Sequence, residues 1–470
     1  MATRIEKDSM GEFEIPGDAY WGVQTERARN NFPISGDRPL PGFVWAMVQI
    51  KKACALTNHK LGKLDGKLAD AIVQAADEVL GGSLLDHWVV DPWQAGAGTS
   101  HNMNTNEVLA NRANEILGGK IGEYKPVGSN DTVNMSQSTN DTIPTAIRLL
   151  GIRGVRKLVD ALEDLEAALD GKASEFDDVI KSGRTHLQDA VPVRLGQEFG
   201  GYAHCIGRHV KWLQAAEKAA YPLGLGGSAA GTGLNTHEDY RETVAAFLAE
   251  QTGYPLVASH NYFEAMQSMA PVVTMSNAVR NAALDLIRIA NDLRLLSSGP
   301  RTGLAEIQLP AVQPGSSIMP GKVNPVMAEN MNMVCYSVLG FDTTVAYCSQ
   351  AGQLELNVMM PIIAYSLEKE TTILSNAVVA FAEKCIQGIQ ADAERCRKSA
   401  DASLAVVTIL NEHVGYLKAS EVAKLALKKD ISVREAAVEA GVVTPDQLDV
   451  IFDVGAMTEP RAPKPAEART

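Results

Sequence analysis

The sequence contains no stretch of about 18 uncharged apolar residues, which is the length that a membrane-spanning helix requires. Its first residues, Met-Ala-Thr-Arg-Ile-Glu-Lys-Asp, lack the apolar segment of a secretory signal. The six cysteines are scattered, with no Cys-x-x-Cys pair and no histidine at zinc-finger spacing. We therefore expect a cytoplasmic protein with reduced thiols, no metal centre, and no membrane partner.

Positive charge is also scarce, because 43 Lys and Arg stand against 56 Asp and Glu and give a net charge of −13. A strongly acidic protein is repelled by phosphate backbones, so we expect no nucleic-acid partner. One segment offers an alternative: capping boxes at residues 432–435 and 444–447, with Gly441 between them, resemble a helix-turn-helix DNA reader. The second helix of that motif would carry only acidic charges, at Asp446, Asp449 and Asp453, which disfavours this alternative.

Apolar residues at helical spacing dominate the middle of the chain. Leu158, Leu162 and Leu165, for example, recur at steps of four and three residues. The pattern predicts five long helices, in the segments 144–176, 194–220, 272–296, 325–350 and 361–390. A mainly α protein follows, with an N-terminal domain (1–138), a central five-helix bundle (139–395), and a small helical C-terminal domain (396–470).

The predicted bundle helices carry few charges on any face, although a bundle exposed to water needs a polar outer surface. We therefore expect the bundle to be buried against other copies of itself. The last ten residues, from Arg461, are rich in Pro, Ala and charge, and we expect them to be frayed.

The segment between the third and fourth long helices, residues 297–325, is too long for an ordinary connection. We call it the lid loop. Near its end it reads Gly-Ser-Ser-Ile-Met-Pro-Gly-Lys-Val-Asn-Pro (315–325), which places hydroxyls, a cation and an amide beside flexible backbone. This pattern indicates a mobile cap that brings a nucleophile or base onto an anionic ligand.

Three further stretches are polar and rich in small residues: 96–104, 134–141 and 183–189. We expect the second to lead into a helix after Pro144 and the third to lie next to a helix start. Each alone fits a helix cap or a polar turn. Together they offer hydrogen-bond donors with little negative charge, which is what a small dicarboxylate requires.

The glycine-rich run 224–233 formally matches the dinucleotide pattern Gly-x-Gly-x-x-Ala. That pattern is credible only after a strand and at the start of a helix, whereas a helical sequence precedes it here. We expect a close backbone approach near the site instead, and no cofactor.

These strings resemble the fumarase/aspartase superfamily over nearly the whole chain. Residues 315–325 are similar to the family signature, and 183–189 and 138–140 to two further conserved regions. The resemblance implies a three-domain helical subunit in a homotetramer with a twenty-helix core. Each active site would then be built from three subunits.

The resemblance also implies the chemistry, in which a proton next to a carboxylate is removed, and the β-substituent then leaves to give fumarate through an aci-carboxylate intermediate. Ser316 matches the general base, with Ser317 beside it in support. His186 and Lys322 match the other catalytic residues, and Glu329 matches a carboxylate that pairs with the histidine. The matching substrate-binding residues are Thr99, Ser138, Thr139, Asn140, Thr185, Lys322 and Asn324.

The choice within the family lies between ammonia elimination from aspartate and water elimination from malate. Ala97, Gly128 and the string Ala-Gly-Gln (351–353) resemble aspartases, whereas Met360 and the strings at 8–11 and 135–137 resemble fumarases. We expect elimination from aspartate, with malate as the alternative. A non-catalytic helical oligomer is a third interpretation, and the presence together of Ser316 and Lys322 argues against it.

Overall fold

The computed structural model describes residues 2–460, and these are mainly helical. The predicted frayed tail from Arg461 lies outside the described residues. In chain order, the α-helices are α1 (Val23–Asn31), α2 (Pro41–Lys60), α3 (Gly66–Leu80), α4 (Thr99–Ile116), α5 (Thr139–Glu175), α6 (Leu195–Glu217), α7 (Tyr240–Thr252), α8 (Tyr262–Gln267), α9 (Ala270–Leu296), α10 (Val326–Ser349), α11 (Met360–Phe381), α12 (Ala393–Ala402), α13 (Asn411–Val414), α14 (Tyr416–Lys429), α15 (Val433–Glu439) and α16 (Leu448–Ile451).

Within residues 2–460, the strands are short and form four two-stranded sheets. They are β1 (Thr3–Asp8) with β2 (Gly11–Pro16), β3 (Ile180–Thr185) with β4 (Gln188–Arg194), β5 (Pro222–Leu223) with β6 (Val257–Ala258), and β7 (Ile307–Gln308) with β8 (Gln390–Ala391). Only the β5–β6 pair is parallel. Among residues 2–460, none of the helices combines the length and apolar character that crossing a bilayer requires.

The five longest helices, α5, α6, α9, α10 and α11, confirm the five predicted segments. The fifth ends earlier than expected, because a wider π turn follows Phe381 and β8 then begins. The helices pack closely: a Cβ added to Gly151 on α5 would lie 2.6 Å from Met275 of α9 and 2.9 Å from Leu367 of α11. The absence of a side chain there lets three helices meet.

The described residues divide into two compact units. The first contains those of Met1–Asp160, His209–Leu284 and Val334–Asn376, and the second those of Ala161–Arg208, Asp285–Met333 and Ala377–Thr470. Each of the five long helices contributes to both units. The division into three domains at 138 and 395 remains a prediction.

Both capping boxes are present. Ser432 accepts a hydrogen bond from the Glu435 N–H while the Glu435 carboxylate accepts from the Ser432 N–H, and Thr444 and Gln447 form the second pair. The helix after the second box, α16, has only four residues. A helix that short cannot serve as the recognition helix of a helix-turn-helix, so the structure also disfavours that alternative.

Two local expectations are wrong. The segment around His186 is not next to a helix start but forms the tip of the β3–β4 hairpin, where His186 and Leu187 have positive φ values of 55° and 59°. The helix that follows residues 134–138 begins at Thr139 rather than after Pro144, which lies inside α5. Pro144 is the sixth residue of α5, so the helix lacks the N–H that would pair with the carbonyl of Asn140.

Candidate active site

The lid loop connects α9 to α10 in the second unit and contains only the short strand β7. Ser316 and Lys322 line a common cavity of about 410 Å³ within it. The Gly315 N–H donates to the Lys322 carbonyl at 2.9 Å, and the Asn324 side-chain amide donates to the Gly315 carbonyl. A Cβ on Gly315 would lie 2.2 Å from the Lys322 carbonyl oxygen, so this turn requires glycine.

The hydroxyl of Ser316 is held by backbone donors. Its Oγ accepts from the Met319 N–H at 2.9 Å and from the Ile318 N–H at 3.2 Å. Donors of this kind favour negative charge on the oxygen they contact. The turn can therefore stabilise an alkoxide at Ser316 relative to the neutral hydroxyl.

The N-termini of α4 and α5 lie side by side in the first unit. Thr99 opens α4, and Ser138 directly precedes α5, whose first residue is Thr139. Gly98 has a φ of +85°, and a Cβ there would lie 2.9 Å from Ile143, so glycine permits this close approach. Free backbone N–H groups and the helix dipole make such termini favourable for carboxylates.

The glycine-rich run packs against the start of α5. The Asp141 carboxylate accepts from the N–H groups of Ser138, Gly226 and Ser228 at 2.9, 3.0 and 2.9 Å. Burial raises the pKa of Asp141 to about 6. The expected backbone approach is therefore confirmed, and no helix opens at this run, because the next helix begins only at Tyr240.

The β3–β4 hairpin presents Thr185 and His186 to solvent at its tip. Glu329 lies in the first turn of α10. Within the part of the chain that the structure describes, no hydrogen bond joins the His186 ring to the Glu329 carboxylate. The expected pairing is therefore not made inside one chain.

A buried ion cluster ties this hairpin to the lid loop. The Glu306 carboxylate, 1% exposed, lies 2.9 Å from Lys181 Nζ and 2.8 Å from Arg184 Nη1, and both cations belong to β3. Lys181 also contacts Glu198 of α6 at 2.8 Å. Glu306 thus fixes the start of the lid loop against the strand that ends in Thr185.

The predicted site residues therefore fall into two groups. The first unit brings together the residues at the N-termini of α4 and α5, which are Thr99, Ser138, Thr139 and Asn140. The second unit carries those of the lid loop, the hairpin and α10, which are Ser316, Ser317, Lys322, Asn324, Thr185, His186 and Glu329.

Sequence reasoning missed the charged residues that support these groups, above all Glu306 and Lys51. Lys51 is completely buried on α2. Its position could have been inferred, because it lies four residues after Met47 and three before Cys54 on the apolar stripe of that helix. A charged residue at a core position indicates a specific partner.

Two family models match the chain: a lyase model covers residues 11–340, and a model of the fumarase C C-terminus covers residues 406–459. Among curated relatives, an aspartate ammonia-lyase of Bacillus subtilis is 46% identical over 457 residues, which are 97% of this chain and 96% of the relative. A class II fumarate hydratase of Neisseria meningitidis is 47% identical over 462 residues, 98% of this chain and 100% of the relative.

Solved structures show the same similarity to lyases. A fumarate lyase:delta crystallin from Brucella melitensis bound to cobalt superposes with a TM-score of 0.95 at 46% identity, covering 98% of this chain and 100% of that one. A class II fumarase from Schistosoma mansoni gives a TM-score of 0.94 at 37% identity, covering 97% and 99%. Relatives named for two different reactions are thus about equally similar to this chain.

Proposed function

Since this chain belongs to the fumarase/aspartase superfamily of lyases, we propose that it is an aspartate ammonia-lyase, which reversibly eliminates ammonia from L-aspartate to give fumarate. The observation that carries the proposal is the lid turn, where Ser316 receives two backbone N–H bonds and shares a cavity with Lys322. A hydroxyl in that setting is suited to act as a base.

In the proposed reaction, the Ser316 alkoxide takes a proton from the carbon next to one carboxylate of the substrate. The electron pair of the broken C–H bond moves into that carboxylate and forms a dianionic aci-carboxylate, which fixed donors must stabilise. The C–N bond then breaks, its electron pair leaves with neutral ammonia, and fumarate remains. Lys322 and Asn324 are assigned to one carboxylate.

The second carboxylate is assigned to the paired N-termini of α4 and α5. Their hydroxyls, amide and backbone N–H groups supply hydrogen-bond donors, which supports an anion site. The residues assigned to this end are Thr99, Ser138, Thr139 and Asn140, and we assign Thr185 and His186 to complete the pocket.

We also propose that the active protein is a homotetramer whose sites combine residues of three subunits. The long helices leave large apolar side chains in solvent, including Leu284 on α9 and Tyr336 and Tyr347 on α10. Apolar surface on a bundle helix favours association with further copies. The contact of His186 with Glu329 would then form between subunits.

Water elimination from malate is the second candidate reaction. Met360 is buried at the start of α11 and donates its N–H to the carbonyl of Gly96, the neighbour of Ala97. A methionine at this point supplies no carboxylate for a substrate ammonium group, which favours the hydratase. Ala97, Gly128 and the Ala-Gly-Gln string favour aspartate.

Parallel assays of fumarate formation by ultraviolet absorbance, with L-aspartate and with L-malate, decide between the two reactions. We expect turnover of aspartate. Turnover of malate alone would replace the ammonia-lyase with the hydratase, and turnover of neither would support the non-catalytic oligomer.

A further inference from the structure

A buried cation lies directly behind the proposed carboxylate site of the first unit. Lys51 of α2 is 0% exposed. Its Nζ lies 2.6 Å from Asn102 Oδ1, 2.8 Å from Gln137 Oε1 and 3.1 Å from Asn134 Oδ1. Three amide oxygens thus surround one amine, although a buried charge is costly unless it has a specific role.

The direction of the hydrogen bonds in this cluster follows from which of its atoms are donors and which are acceptors. A protonated lysine has three N–H donors and no acceptor, so each surrounding amide must turn its oxygen toward Nζ. The nitrogen of each amide must then point elsewhere. For Asn102, Nδ2 donates to Thr139 Oγ1 at 3.2 Å.

Thr139 is therefore the end of a chain of hydrogen bonds with a fixed direction. Because its Oγ1 accepts from Asn102, the hydroxyl proton is left to donate to another group. A carboxylate accepts hydrogen bonds and cannot donate them, so this orientation suits substrate binding.

We propose that Lys51 is a positioning residue that, through Asn102, holds the Thr139 hydroxyl as a donor to one carboxylate of the substrate and adds positive potential at that site. This role rests on the proposed function, because it requires that the chain binds a dicarboxylate. Lys51 itself touches no substrate atom in this scheme.

The groups that face Lys51 indicate how the role depends on pH. Burial lowers the pKa of Lys51 to about 8. Asp141 of α5 opposes this shift, and its pKa of about 6 leaves it ionised above neutrality. Cys54, on the same helix and next to Tyr240 of α7, has a pKa raised by burial to about 12 and stays a neutral thiol. Lys51 is then the member of the cluster that loses charge above pH 8.

The first test compares Lys51→Met with Lys52→Met. Lys52 is the adjacent residue of α2 and forms an ion pair with Asp77 outside the buried cluster. We expect Lys51→Met to raise KM by about ten- to a hundredfold, which is the range for losing a hydrogen bond to a charged group. The dissociation constant of succinate, a dicarboxylate that does not react, should rise by the same factor. Lys52→Met should change neither constant. In Lys51→Met, kcat should fall by a smaller factor than KM rises.

The second test needs no variant, so it holds even if Lys51→Met fails to fold. Succinate affinity of the wild-type protein should weaken above about pH 8, whereas an ordinary lysine keeps its charge to about pH 10. Constant affinity up to about pH 9.5, or equal constants for the two lysine variants, would overturn the proposal. If the wild-type protein forms fumarate but gives either of these results, the positioning role of Lys51 alone is refuted. If it neither forms fumarate nor binds succinate, the proposed function is refuted together with that role.

Discussion

At the scale of single residues, the sequence predicts which side chains can take part in a reaction, but not which partners a buried charge finds. Ser316 and Lys322 are visible because they lie in an unusual string, and the structure places them around one cavity. Lys51 and Glu370 lie in helices whose apolar pattern looks continuous around them. Their environment depends on contacts between distant segments, which no local pattern contains.

Glu370 provides a test of stability at this scale. Its carboxylate is buried beside the Ser276 hydroxyl, which also donates to Asp342 at 2.9 Å. Burial raises the pKa of Glu370 well above its usual range. The unfolded chain thus loses this proton as pH rises above about 4 while the folded chain keeps it, so the free energy of unfolding falls with rising pH.

We expect Glu370→Gln to remove this penalty. The variant should raise the free energy of unfolding in urea at pH 8 by on the order of a few kcal/mol, because glutamine is neutral without taking up a proton, whereas each pH unit above about 4 costs the folded glutamic acid up to about 1.4 kcal/mol. The gain should vanish near pH 4, where the carboxyl is protonated in both states. Glu355→Gln, at an exposed position, is the matched control; a gain at pH 8 no larger than that of the control would refute the explanation.

At the scale of elements, helical periodicity predicted the five long helices because it repeats over many turns. The β3–β4 hairpin was missed because its turn is His186-Leu187 rather than the Asn-Gly or Asp-Gly that a two-residue turn favours. Its geometry is supported from outside, by Glu306 of the lid loop. Such support across about 120 residues of sequence cannot be read from the local pattern.

The ion cluster predicts that the two carboxylates around Lys181 differ in importance. Glu306 is buried and contacts both Lys181 and Arg184, whereas Glu198 contacts Lys181 and is partly exposed. Glu306→Gln should lower the free energy of unfolding by about 3–5 kcal/mol, the range for breaking a buried pair. Glu198→Gln should cost clearly less, because Lys181 keeps its contact with Glu306. Equal losses in urea unfolding would contradict the proposed anchoring of the lid loop.

At the scale of the whole molecule, the resemblance to the family predicted the fold, and the comparisons confirm it. The assembly remains a prediction, because a single chain reveals its partners only through the surface it leaves uncovered. The exposed Tyr336 and Tyr347 on α10 are consistent with further copies packing there.

Mixed assemblies test whether sites are shared between chains. Ser316→Ala and Thr139→Val should each be inactive alone, yet their co-expression should recover about a quarter of wild-type activity if the two residues of one site come from different subunits that mix at random. Co-expression of Ser316→Ala with Lys322→Met should recover none, because both changes lie in the same lid loop. No recovery from the first pair would place each site within one chain.

The proposed lyase mechanism depends on removal of the carbon-bound proton by the alkoxide of Ser316. The most direct measurement is the kcat for fumarate formation by Ser316→Ala, in protein shown to be folded and assembled as the wild type is, beside Thr302→Ala at an exposed position of the same loop. We predict a loss of about a thousandfold or more for Ser316→Ala, as expected for removal of a catalytic base, and wild-type turnover for Thr302→Ala. Near-normal turnover by Ser316→Ala would contradict the mechanism.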